Sequence, residues 1–142
     1  MRGVTRGLRA AKRAAMHPSL LVFLGGGLGA LLRHGVNVEA MRLFGPSFPW
    51  GTFAINIAGS TAMGLCAGLI TMRADGAVLQ DARLFVMTGI LGGFTTFSAF
   101  SLDALSMWQR GESAAACAYV IGSVVLSIAG LALGLAFVRQ FT

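Results

Sequence analysis

From Ser113 to Val138 the chain carries no charged residue, and from Trp50 to Met72 it again carries none. An α-helix needs roughly 20 predominantly apolar residues to cross the hydrocarbon core of a bilayer. Two further runs have the same character: Ser19 to Val38, interrupted by Arg33, and Leu84 to Trp108, which contains Asp103. Charged residues make up only 11% of the chain, against about 25% in a soluble domain. These features exclude a large soluble or cofactor-binding domain. They predict an all-α membrane protein with four transmembrane helices, at about 19–38, 50–72, 84–108 and 113–138. The connections Glu39–Pro49, Arg73–Arg83 and Gln109–Glu112 are short, which puts both ends of the membrane domain, 16–142, on one side. The two halves show no convincing internal repeat.

Residues 1–15 form a basic tail, with Arg2, Arg6, Arg9, Lys12 and Arg13 supplying five of the eleven basic residues. Such a cluster marks the cytoplasmic flank of a first membrane helix, and beside so apolar a remainder it does not read as a nucleic-acid-binding arm. Beyond the tail the charges nearly balance, with Arg73, Arg83 and Arg139 on one side and Arg42 and Arg110 on the other. Without the tail the chain could insert either way; with it, the N-terminus is expected inside. No cleavage site followed by a polar mature domain supports a signal peptide. Met16 opens "MHPSLLVFLGGG", a plausible start for a tail-less form, and we expect translation to begin there. Mass determination of the native N-terminus tests this, and Met1 or Arg2 at that end contradicts it. Cys66 and Cys117 stand alone in apolar runs and read as small buried hydrophobes.

Polar side chains within a span are costly, so each needs a partner or a use. Asn56 lies mid-span, where its amide either bonds another helix or turns its donors toward an anion. Arg33 either snorkels to the interface or draws anions to a pore mouth. Asp103 can cap, pair or reach the headgroups. Tyr119, Ser123 and Ser127 follow i, i+4, i+8 and share one face, either bonded to backbone or lining a watery path. The pairs Gly25/Gly29, Gly64/Gly68 and Gly130/Gly134 have the spacing that lets helices approach closely.

The third span contains "GGFTTFSAF", Gly92 to Phe100. Two adjacent glycines weaken a helix by roughly 1 kcal/mol each relative to alanine. A break in lipid must face protein or a water-filled cavity, and freed carbonyls at such a break can hold a cation. We therefore expect the third helix to be broken near Gly92–Thr96. Phe97 and Phe100 share a face, either as a packing pair or with their positive ring edges toward an anion.

The stretches "GGGLGALLR" (Gly25–Arg33), "PWGTFAINIAGSTAMG" (Pro49–Gly64) and "TGILGGFTTFSAF" (Thr88–Phe100) together resemble the Fluc (CrcB) fluoride channels, from about Leu20 to Val138. The resemblance implies a passive, fluoride-specific channel and no enzyme. It implies an antiparallel homodimer of dual topology in a bacterial inner membrane, each subunit crossing the lipid bilayer four times. It also implies a structural, non-conducted sodium ion at the dimer centre, held by backbone carbonyls of Gly92 and Thr95. Asn56, Phe97 and Phe100 then become anion contacts, with Thr52, Ser98, Tyr119, Ser123 and Ser127 along the pore and Arg33 at its mouth. Two positions depart from the family pattern. Ala99 stands where a threonine is frequent, and Asp103 stands where glutamate is usual. Two rivals remain: a proton-coupled drug exporter, which requires a buried titratable carboxylate, and an accessory membrane subunit, which gives no reason for Asn56 beside a hydroxyl track.

Overall fold

A computed structural model describes residues 17–71 and 77–141. The basic tail, Met16 and the Arg73 end of the second connection lie outside the described residues. The described chain is helical apart from short connections. Helix α1 spans Pro18–Phe44 and α2 spans Trp50–Thr71. The third span starts as α3, Ala77–Arg83, widens into a π-helical segment at Leu84–Leu91, and ends in one turn, α4, Gly92–Phe94. Helix α5 spans Phe97–Gln109 and α6 spans Ser113–Arg139. Four stretches are long and apolar enough to cross a membrane: Pro18–Phe44, Trp50–Ile70, Val78–Gln109 and Ser113–Arg139.

Two boundaries differ from the sequence expectation, and for one reason. Helix α1 runs past Val38, through Glu39 and Arg42, to Phe44. The third span begins within the expected connection, because "AVLQDAR" is itself helical. Ala, Leu, Gln and Arg are strong helix formers. A charge marks where a helix leaves the hydrocarbon, not where it stops. What stops α1 is Gly45, whose φ of 73° lies in the left-handed region that glycine enters without a Cβ clash. Its N–H closes on the Met41 carbonyl at 3.0 Å. Gly111, at φ 82°, makes the turn between α5 and α6 in the same way. Beside it Arg110 and Glu112 form an exposed ion pair at 3.0 Å.

Two glycine-lined crossings hold the bundle, and both use the spaced pairs. In the first, α1 lies on the π-helical segment. A Cβ on Gly25 would meet the Phe85 carbonyl and the Gly89 Cα, and one on Gly29 would meet the Ile90 carbonyl. Gly93 faces the backbone of Gly26 in the same contact. In the second, α2 lies on α6. Gly64 meets the Leu131 carbonyl, Gly68 meets Val138, and Gly130 and Gly134 meet Thr61. In lipid, close backbone approach replaces the hydrophobic effect as the source of helix association. A small aromatic core lies near the Glu112 end: Phe100, Met107, Ala116 and Tyr119, backed by Phe48 and Phe53.

Candidate functional site

The helical run of the third span stops at Phe94. Thr95 (φ −76°, ψ 156°) and Thr96 (φ −151°, ψ 118°) are extended, and the helix resumes at Phe97. The two glycines are not where the backbone leaves the helix, for Gly92 keeps helical angles of −65° and −36°. The departure falls on two adjacent β-branched residues, which helices hold less well. The second of them is also a good N-cap. Thr96 Oγ1 accepts the Ala99 N–H at 3.2 Å and so starts α5. Because that bond uses the backbone of Ala99, a side-chain hydroxyl at 99 is not needed for it. Ser98 Oγ lies 3.3 Å from the same Thr96 hydroxyl. Thr95 directs both its N–H and its hydroxyl to the Leu91 carbonyl, each at 3.0 Å.

Asn56 completes the interrupted backbone from across the bundle. Its Oδ1 accepts the Thr96 N–H at 2.9 Å, and its Nδ2 donates to the Thr96 carbonyl at 3.1 Å. The side-chain amide therefore pairs with the main chain as another peptide group would. An unpaired buried backbone group costs about 1–3 kcal/mol, and this clamp removes two. The asparagine is thus an interhelical bond, one of its two sequence readings. Its Nδ2 carries a second N–H beyond the one given to Thr96.

The clamp also releases carbonyls. In an uninterrupted α-helix the Gly92 and Thr95 carbonyls would accept the N–H groups of Thr96 and Ala99. Here those N–H groups bond Asn56 Oδ1 and Thr96 Oγ1 instead. Gly92 is exposed, and a Cβ there would meet nothing closer than the Met87 carbonyl at 3.7 Å.

A groove of about 260 Å³ runs beside the interruption, between α2, α5 and α6. Asn56, Ser60, Thr95 and Thr96 form its polar side, and Phe97, Phe100, Ser123 and Ser127 line the rest. The Phe97 and Phe100 ring centroids are 5.5 Å apart at 41°. Phe100 is buried, whereas Phe97 is 79% exposed. The hydroxyls of Ser123 and Ser127 are buried and have no hydrogen-bond partner among the described residues. A buried hydroxyl without a partner is costly, and both of these belong to the groove wall.

Other residues singled out from the sequence lie elsewhere. Thr52 and Tyr119 are buried behind Phe100, whose ring is 5.3 Å from that of Tyr119. The Tyr119 hydroxyl donates to Asp103 Oδ2 at 3.4 Å. The i, i+4, i+8 stripe is therefore split: two serines stand in the groove and the tyrosine stands in a closed polar cluster. Ser98 is exposed beside the interruption. Arg33 sits mid-way along α1, because that helix continues to Phe44, and it does not line the groove. It is half-buried.

Sequence reasoning passed over two residues. Thr96 is the partner of Asn56, and its signal was a Ser/Thr cap directly before a helical run. Ser60 lies one helical turn beyond Asn56, and the i, i+4 rule would have found it.

Residues 20–135 match the family described as CrcB-like protein, Camphor Resistance (CrcB). A relative from Nitrobacter hamburgensis, named fluoride-specific ion channel FluC 2, is 58% identical over 87% of this chain and 98% of its own length. The fluoride-specific ion channel FluC of Methylobacterium nodulans is 58% identical over 87% of this chain and 97% of its own. That of Rhodopseudomonas palustris is 56% identical over 87% of this chain and 98% of its own. With the family matched over nearly all of its membrane-spanning part, this multi-pass membrane protein belongs to the CrcB-like, or FluC, family of ion channels.

Proposed function

We propose that the chain is a passive, fluoride-selective channel that lets cytoplasmic fluoride leave down its electrochemical gradient. The observation that carries this reading is the groove beside the interruption: an amide with a spare N–H, buried hydroxyls without partners, and two phenylalanine rings. Every one of these can offer a positive hydrogen to a small anion, and none carries a full charge. The names of the relatives supply the identity of the anion.

The chemistry follows from that set. A strongly hydrated anion enters such a groove only if protein donors replace its water. Conduction further requires that no single site hold it too tightly. Neutral donors at several points satisfy both needs. The Asn56 amide, already aligned by Thr96, presents its second N–H without reorganising. Phe97 and Phe100 offer positive ring edges, and the unpaired hydroxyls of Ser123 and Ser127 continue the series. Thr52 and Tyr119 support the Phe100 ring from behind, Ser98 steadies the Thr96 cap, and Arg33 supplies positive potential along the approach. A membrane potential adds about 2.3 kcal/mol per 100 mV for each charge crossing. In an inner membrane, negative inside, this drives an anion outward.

One copy leaves the groove open, with Phe97 facing outward. We read the working unit as an antiparallel homodimer in which a second copy closes that side. The released Gly92 and Thr95 carbonyls are hard oxygen donors, the class that suits an alkali or alkaline-earth cation. Two copies would bring four of them together. Among the described residues no cluster of three or more His, Cys, Asp or Glu offers a metal site of another kind. Those four carbonyls fit the structural sodium expected from the resemblance. The bound cation would supply fixed positive potential at the dimer centre.

The test is fluoride efflux from liposomes containing the purified chain, followed with a fluoride electrode. Rapid efflux that carries charge, strongly weakened in Phe97→Ile, is expected. Efflux that occurs only with a proton gradient would make the protein a coupled transporter instead.

A further inference from the structure

Ser60 and Thr61 are adjacent hydroxyls on α2 with opposite surroundings. The Thr61 hydroxyl donates to the Ile57 carbonyl of its own helix at 2.9 Å, and Gly130 packs against it. Ser60 lines the groove and makes no such bond within the described residues. It lies one turn from Asn56, so the two share a face of α2. Across the groove stands α6, where Ser123 is only 4% exposed and its hydroxyl has no partner among the described residues. Ser127 Oγ, one turn further along α6, is buried and unpartnered as well. The two helices therefore present paired rungs, Asn56 with Ser60 and Ser123 with Ser127. Past these rungs the backbones close together, with Gly64 on Leu131 and Gly134 on Thr61.

We propose that Ser60 is a further anion-contacting residue, donating its hydroxyl to the permeating anion at the position after Asn56. This rests on the fluoride-channel reading above. A serine hydroxyl can donate to an anion while its oxygen accepts from another hydroxyl or a water. Ser60 thereby lets an anion pass from the α2 amide to the α6 hydroxyls without a step that lacks a donor. No bond is made or broken.

The test compares wild type, Ser60→Ala, Ser60→Thr and Thr61→Val, each purified as the full chain. Elution on size exclusion establishes that they assemble alike, and fluoride efflux from liposomes is then measured across fluoride concentrations. Ser60→Ala is expected to lower efflux about tenfold, as for loss of one hydrogen bond to a charged group, and to raise the half-saturating fluoride concentration. Ser60→Thr keeps the hydroxyl and is expected to stay within about threefold of wild type, and Thr61→Val within about twofold, since its lost bond is internal to α2. Wild-type efflux and half-saturation in Ser60→Ala overturn the proposal and leave the channel reading intact. Equal loss in Ser60→Ala, Ser60→Thr and Thr61→Val also overturns it, because packing and not the hydroxyl would then be responsible. Absence of fluoride efflux from wild type overturns the channel reading itself, and this proposal with it.

Discussion

Two groups of hydroxyls near Phe100 differ in one respect. In one, Tyr119 donates to Asp103, and its ring is sealed beneath Phe48, Phe53 and Phe100. In the other, along the groove wall, the Ser123 and Ser127 hydroxyls are buried with no partner among the described residues. Both regions put hydroxyls into a membrane protein's interior, and only one satisfies them. A satisfied cluster fixes geometry, and removing a member leaves a former partner stranded. An unsatisfied one holds its donors ready for something that arrives, and removing a member costs the fold little. On the fluoride-channel proposal, the Tyr119 cluster holds Phe100 in place, while Ser123 and Ser127 meet the ion.

The largest effect is expected where the two roles coincide. Asn56→Asp replaces the Nδ2 donor with a carboxylate oxygen facing the Thr96 carbonyl, so it breaks half the clamp and removes the spare N–H. Two effects of about 1.5–3 kcal/mol each, the scale for bonds involving charged groups, predict at least a hundredfold loss of efflux. Unfolding in mild detergent should also shift downward. Full efflux from this variant would show that the amide neither clamps Thr96 nor faces the ion.

That clamp marks how far the sequence was legible. Four apolar runs were sufficient for four spans, because the bilayer fixes helix length. Asn56 stood out because an amide in lipid must bond something, yet its partner Thr96 lies forty residues away, and no local pattern encodes that distance. The expected break near Gly92–Thr96 falls at its far end, on Thr95 and Thr96. The small size of Gly93 serves α1, where it touches Gly26, and the backbone leaves the helix at the threonines. The stripe on α6 was correctly one face, but periodicity does not say what lies opposite, so Tyr119 could not be told from Ser123. Ends judged by charge, at Val38 and Leu84, missed helical turns that continue into the interface.

Ser123→Ala sharpens the comparison next. Efflux should fall about tenfold, while thermal stability in detergent should hold or rise, since a buried unpaired hydroxyl is removed. A clear loss of stability with normal efflux would place Ser123 among the structural hydroxyls instead. Tyr119→Phe should do the reverse. It strands Asp103 and should cost about 1 kcal/mol of stability, while efflux changes by less than about threefold, because the ring packed on Phe100 is kept. A tenfold loss of flux at unchanged stability would move Tyr119 into the ion path.

The smallest effect is expected at the α5–α6 turn. The Glu112 carboxyl is held below its ordinary value chiefly by the hydrogen bond from Arg110. A carboxyl lowered in the folded state stabilises above its unfolded value, and that contribution fades as pH falls through the lowered one. Glu112→Gln should therefore lower thermal stability slightly at neutral pH, match wild type in acid, and leave efflux alone. A flux defect there would extend the ion path to the turn.

The central claim is that neutral donors in one groove pass fluoride and nothing coupled to it. Recording the reconstituted protein in a planar bilayer, with a tenfold fluoride gradient and equal chloride and pH on both sides, tests it most directly. The account predicts a current that reverses about 59 mV from zero, the value for a single-charge ion at that gradient. A reversal at zero, or one that follows an imposed proton gradient, would contradict it.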